Sequence, residues 1–132
     1  TLDRLVSGEN SDSMIWNGYG HRAATENKNL TWVYPKEGAL MYQDNWSIPS
    51  GAKNVQQAMT FINWMMKPEN SLRAVEYNNY NSYIDGVEEL MPDDLKNDSA
   101  IITPSDVKLM DVPQCSTDVV NEYSQIWEQF KE

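Results

Sequence analysis

Leu40-Met41-Tyr42-Gln43-Asp44-Asn45-Trp46-Ser47-Ile48-Pro49 sets one acid among alternating apolar positions. Side chains of an extended strand point to opposite faces in turn. Leu40, Tyr42, Asp44, Trp46 and Ile48 are therefore expected on one side, and Met41, Gln43, Asn45 and Ser47 on the other. A carboxylate on an apolar face is costly unless a cation meets it. The stretch contains no lysine or arginine, so the cation has to come from another part of the fold or from a ligand, and a ligand is the expectation.

Upstream, residues 30–34 alternate as a second strand and residues 35–38 turn the chain. Residues 14–16 have the composition of a short buried strand ahead of Asn17-Gly18. Between these strands residues 19–26 are expected to be helical, and residues 1–6 form the end of another helix that Gly8 stops. Downstream of Pro49-Ser50-Gly51, the residues Val55, Ala58, Met59, Ile62, Met65 and Met66 recur at three- and four-residue intervals. That is the clearest helical stripe of the chain, and it should stop near Lys67. Pro68 suits the first turn of the next helix, with Leu72, Ala74 and Val75 as its apolar positions and the asparagines of 78–81 ending it. Short helical pieces are expected at 87–90, 92–95 and 104–110. A longer helix is expected at 116–130, with Val120, Tyr123, Trp127 and Phe130 on one stripe and a Ser/Thr/Asp start to cap it. Strands in front and helices behind give an α/β or α+β class, of which α/β is the expectation, a short mixed sheet with flanking helices. Three short strands make a thin sheet, so further strands are expected from a longer protein or from a second copy, a homodimer completing the sheet.

A hydrophobic fraction of 40% and a charged fraction of 23% over 132 residues fit one globular core. Ten basic against twenty acidic residues leave a net charge of -10, which repels phosphates and attracts small cations; nucleic acid is excluded as a partner class. Acidity by itself also serves plain solubility. Cys115 is the single cysteine, so neither an internal disulfide nor a multi-thiolate metal site can form, and the redox compartment stays open. No run approaches the roughly 18 apolar residues of a membrane span. The start carries no signal-peptide pattern, and the first residue is Thr1 rather than methionine; a piece of a longer protein with its targeting segment upstream is expected.

For catalysis the sequence offers one histidine, His21, and Cys115, without the surroundings of a nucleophile elbow or a cysteine-protease signature. Glu88-Glu89 and Asp93-Asp94 read as solvated faces of short helices rather than acid–base pairs. Calcium-loop, zinc and phosphate-loop spacings are missing, so no cofactor and no metal is expected. The aromatic residues say more: five Trp and seven Tyr against two Phe favour rings with a polar edge, as binding sites do. Trp64 and Trp127 lie on helical stripes and are expected in the core, Trp32 is undecided, and Trp16 ends a strand where a side chain faces a crevice. Aromatic faces plus an acid suit organic ammonium ions, through cation–π contact and a carboxylate that fixes the charge. Trp16, Tyr42, Asp44 and Trp46 would then hold an alkyl diamine or polyamine. Sugars, which stack on the same rings, stay open.

The order Met-Ile-Trp-Asn-Gly (14–18), Tyr-Pro-Lys-Glu-Gly-Ala (34–39), Asp-Asn-Trp-Ser-Ile-Pro (44–49), Ala-Lys-Asn (52–54) and Phe-Ile-Asn-Trp-Met-Met-Lys-Pro-Glu (61–69) resembles bacterial spermidine/putrescine-binding proteins, the extracytoplasmic receptors of polyamine ABC importers. The resemblance runs from about Gly8 to the C-terminus. It implies the later, C-terminal part of a two-lobed periplasmic-binding-protein-like fold: 1–33 as the end of the second lobe, 34–103 as the hinge crossing and part of the first, and 104–132 returning to the second. It further implies a non-enzymatic receptor, periplasmic or extracellular, held at the membrane by a lipoprotein anchor or by fusion to a permease. Such a receptor closes its lobes on a polyamine and hands it to the ABC permease subunits. Another small solute, such as a sugar, an amino acid derivative or a metal chelate, is the alternative ligand. Residue by residue, Trp16 falls on a ligand-stacking tryptophan and Asp44 on an acid that pairs with an ammonium group. Tyr42 falls where the family often has another tryptophan, and Gln114 aligns loosely with a ligand-contacting glutamine. The chain departs from the family at residues 78–84, where many members carry a Thr-Pro-Asn turn.

Overall fold

The computed structural model describes residues 1–112 and 114–131. Seven helices and two strands follow one another as α1 (Leu2–Val6), α2 (Asn17–Glu26), β1 (Ala39–Met41), α3 (Val55–Met65), α4 (Pro68–Asn78), α5 (Val87–Leu90), α6 (Asp93–Lys96), β2 (Leu109–Asp111) and α7 (Thr117–Lys131) among the described residues. Their ends have local causes. Gly8 follows α1 with φ +79°, a conformation that costs an L side chain energy. Pro68 opens α4 at its first turn, where its missing N–H is not needed. Asn79 closes the same helix in the left-handed conformation, φ 63°, and its N–H reaches the Val75 carbonyl at 2.8 Å.

β1 and β2 form a two-stranded parallel ladder in the register Ala39↔Leu109, Leu40↔Met110, Met41↔Asp111. The approach is tight at its start. A Cβ on Gly38, whose φ is +117°, would lie 2.6 Å from the Lys108 carbonyl oxygen, and it is next to this glycine that the Ala39 N–H donates to the same oxygen at 2.9 Å.

The core is made by the chain between α4 and residue 102. Val75, Val87, Met91, Leu95 and Ile101 are buried together, with Leu72, Ile84 and Ile102 packed against them. A turn at 98–103 ties this core to α2. Asp98 accepts the Ala100 N–H at 2.7 Å through one carboxylate oxygen and faces His21 Nδ1 at 2.7 Å through the other. The Asn17 amide donates to the Ala100 carbonyl at 2.8 Å, and the Tyr34 hydroxyl donates to the Ser99 carbonyl at 3.0 Å. α1 lies on α2, with Leu5 and Ala23 buried there.

Several expected elements differ. Residues 14–16 and 30–34 are not strands; they run without a ladder, and Met14 is exposed rather than buried. Trp32 packs instead over Gly20, where a Cβ would come within 2.3 Å of the indole, and edge-on to Tyr34 at 5.6 Å. The strand expected from residue 39 to 48 keeps only Ala39–Met41, and among the described residues its pairing with β2 ends at Met41↔Asp111. Asp44 therefore does not lie on a strand face. The segment 104–110 is not helical: Val107 closes a turn onto the Pro104 carbonyl at 3.1 Å, and β2 starts two residues later. Trp64 and Trp127 are half-exposed rather than core, on helices that bury no residue fully among those described.

Candidate functional site

Trp16 and Tyr42 come from different elements and meet. Trp16 is the extended residue directly before α2, and Tyr42 is the first residue beyond β1. Their rings pack edge to face, centroids 4.7 Å apart at 77°. Both side chains stay about half exposed, 51% and 54%, so the pair offers ring surface to a ligand as well as to itself. Asp44 follows two residues after Tyr42 and is exposed. Gln114 is exposed three residues beyond β2. Since β1 and β2 are parallel and Met41 pairs with Asp111, Tyr42 and Gln114 both leave the carboxyl end of the ladder, the end at which parallel sheets bind ligands.

Tyr80 joins this group without having been expected. It follows the asparagines that end α4, and Gly18 on α2 makes room for it: a Cβ there would lie 2.9 Å from the Tyr80 ring and 3.0 Å from the carbonyl oxygens of both Asn78 and Asn79. Burial pushes the Tyr80 hydroxyl above its ordinary pKa of 10.0; Tyr19 adds to that, Arg22 opposes it, and the Asp44 carboxylate raises it further. Tyr80 is thus a neutral phenol at physiological pH, near enough to Asp44 to feel its charge and able to donate a hydrogen bond. The sign of the linkage follows: its contribution to stability is intact below pH 10 and is lost as pH rises past the raised value. A hollow of about 160 Å³ opens beside it, lined by Gly18, Tyr19, Arg22, Asn78 and Tyr80. The signal for Tyr80 in the sequence was an aromatic residue set just after helix-stopping asparagines, inside the segment that departs from the family pattern.

Other candidates lie elsewhere. Trp46 turns toward α3, edge-on to Phe61 at 5.4 Å, and Phe61 stacks with Trp64 at 6.3 Å. His21 directs Nδ1 at Asp98. A larger hollow of about 300 Å³, lined by residues 81–89 other than Val87 with Asp85, Glu88 and Glu89 among them, includes none of Trp16, Tyr42, Asp44 or Gln114. Among the described residues no group of histidine, cysteine and acidic side chains is placed to hold a metal ion, and no helix is long and apolar enough to cross a membrane.

Because Gly18 sits where α2 touches the end of α4, Gly18→Ala is expected to destabilise the chain by about 1 to 3 kcal/mol, the scale of a forced close contact. Helix propensity alone would make the same change favourable by about 1 kcal/mol. Thermal unfolding of the variant separates the two, and an unchanged or raised midpoint would show that Tyr80 is not held by this contact.

The profile of the bacterial extracellular solute-binding proteins matches residues 4–103, and the chain belongs to that family. It is 29% identical over 96 residues to the spermidine/putrescine-binding periplasmic protein of Salmonella typhimurium, a match covering 73% of this chain and 28% of the relative. The putrescine-binding periplasmic protein PotF of Escherichia coli is 24% identical over 113 residues. Among solved structures, the spermidine/putrescine ABC transporter substrate-binding protein PotD from Streptococcus pneumoniae superposes with a TM-score of 0.74 at 33% identity, covering 86% of this chain and 36% of that one. The chain thus spans between a quarter and two fifths of the length of these relatives. The likeness to PotD supports the expected fold class, an incomplete lobe of helices around a small parallel sheet. A family of solute-binding transport components also fits a non-enzymatic role, and the relatives' names place them in the periplasm.

Proposed function

We propose that this chain forms part of the ligand cleft of a polyamine receptor that serves an ABC importer. The observation that carries the reading is the Trp16–Tyr42 ring pair at 4.7 Å, with the exposed Asp44 two residues after Tyr42. Rings stack on the methylenes of an alkyl amine and attract its charge, while the carboxylate sets where an ammonium sits. Tyr80 adds a neutral hydrogen-bond donor, and Gln114 a side-chain amide from the neighbouring strand end. On this reading Trp16, Tyr42, Asp44 and Gln114 touch the ligand, and spermidine or putrescine closes the cleft because it contacts both lobes only in the closed state. The lobe division proposed with it is 1–33, 34–103 and 104–132, the chain crossing between lobes in the 34–39 run. Delivery to permease subunits, a site of action outside the cytoplasmic membrane and the lack of a catalytic role belong to the same proposal and are supported by the relatives' names.

The test is a titration of the chain with putrescine, spermidine and glucose, followed through the indole N–H resonance of Trp16 by NMR, which registers millimolar binding. Saturable shifts with both amines and none with glucose are expected. A response to glucose with none to the amines would move the assignment to the neutral-solute alternative.

A further inference from the structure

Arg22 brings a positive charge to α2, the helix that directly follows Trp16, in a chain read as binding cations. It lies on α2 three residues after Tyr19, with its guanidinium carbon 5.6 Å from the Tyr19 ring centroid, and Nη2 donates to the Tyr77 carbonyl at 3.1 Å. Both contacts hold the side chain in place, and neither neutralises it. Arg22 takes part in no ion pair among the described residues, and a guanidinium is not deprotonated at any relevant pH. With Tyr80 it lines the hollow of about 160 Å³, so one phenol has a cation on one side and the Asp44 carboxylate within electrostatic reach.

We infer that Arg22 is a charge stop: the site accepts one ammonium at Asp44 and refuses a second in the hollow of Gly18, Tyr19, Arg22, Asn78 and Tyr80. The inference rests on the reading of Asp44 as the ammonium-binding acid. An amine bound there can put an uncharged or anionic group toward α2, and the remaining ammonium groups of a polycation must run the other way. Arg22 thereby fixes the direction in which a polyamine lies and penalises ligands in proportion to the charge they bring near α2.

The experiment compares butylamine, putrescine and spermidine, with one, two and three ammonium groups, in NMR titrations of the wild-type chain, Arg22→Gln and Arg22→Lys. Removing the charge is expected to raise affinity by a factor that grows with ligand charge, on the order of fivefold for spermidine and little for butylamine. Arg22→Lys should keep the wild-type ranking, which separates the charge from the bond to the Tyr77 carbonyl. Equal gains for all three amines, no gain, or the same gains in Arg22→Lys as in Arg22→Gln would overturn the charge stop while leaving the ammonium site standing. Absence of binding by every amine to the wild-type chain and both variants would remove the ammonium site itself, and the charge stop with it.

Discussion

Ile101→Ala is expected to destabilise the chain by about 2 to 5 kcal/mol, the range for deleting a buried isoleucine and leaving a cavity. Ile101 is 1% exposed at the centre of the cluster with Val75, Val87, Met91 and Leu95. It also sits on the turn that Asp98 and Asn17 fasten to α2 and that Tyr34 fastens to the segment before β1, so the backbone around it is held by polar contacts and cannot easily collapse into the space left. The loss is severe because little else compensates for it. α3 and α7 bury no residue fully among those described, and a domain of ordinary stability has only about 5 to 15 kcal/mol in hand. Ile101→Val, which removes one methylene, should cost about 0.5 to 1.5 kcal/mol. Urea midpoints of the three proteins give the comparison; a cost for Ile101→Ala no larger than for Ile101→Val would mean that stability resides outside this cluster.

Asp44→Asn is expected to weaken polyamine binding by about 1.5 to 3 kcal/mol, the scale of a hydrogen bond to a charged group, or tenfold and more in affinity. Asparagine keeps the shape of the side chain and removes its charge. Asp44 is exposed, so salt should screen the interaction and the gap between wild type and variant should narrow as ionic strength rises. Glu88→Gln, in the other hollow, provides the control: it changes the net charge by the same amount, and that hollow includes none of Trp16, Tyr42 or Asp44. Titration with spermidine distinguishes the cases. Equal losses in the two variants would assign the effect to overall charge, and unchanged affinity in Asp44→Asn would take this acid out of the site.

The helices could be read from the sequence because their determinants are local. The Val55–Met65 stripe, Pro68 at the start of α4, the asparagines at its end and the Val87–Leu90 turn each depend on residues a few positions apart, and each lies where the spacing put it to within two residues. The strands could not, because a strand exists only where a partner lies beside it. Residues 14–16 and 30–34 have strand composition without a partner, whereas Leu109 and Met110, read as the end of a helical piece, belong to a strand because Ala39–Met41 is there. The site divides in the same way. Trp16 and Asp44 were nameable from short motifs of the family resemblance, and Tyr42 and Gln114 only by looser alignment to it, but Tyr80 and Arg22 come to the proposed site through the packing of α2 against the end of α4, which no local pattern encodes. The exposure of Trp64 and Trp127 had no signal either, since an amphipathic stripe looks the same whether or not something covers it.

The parallel pairing of β1 with β2 also bears on how the molecule assembles. Ala39 and Leu109 are 70 residues apart in the chain, and the whole of the buried cluster lies between them. The contacts of that cluster, from Leu72 to Ile102, close short loops and form quickly, whereas the ladder has to close one long loop for three residue pairs. On the ribosome β1 emerges well before its partner exists, and it stays an unpaired edge until β2 has been synthesised. The end of the ladder from which Tyr42 and Gln114 depart is therefore completed after the core. The side of the chain proposed to face ligand is thus expected to take shape after the buried cluster.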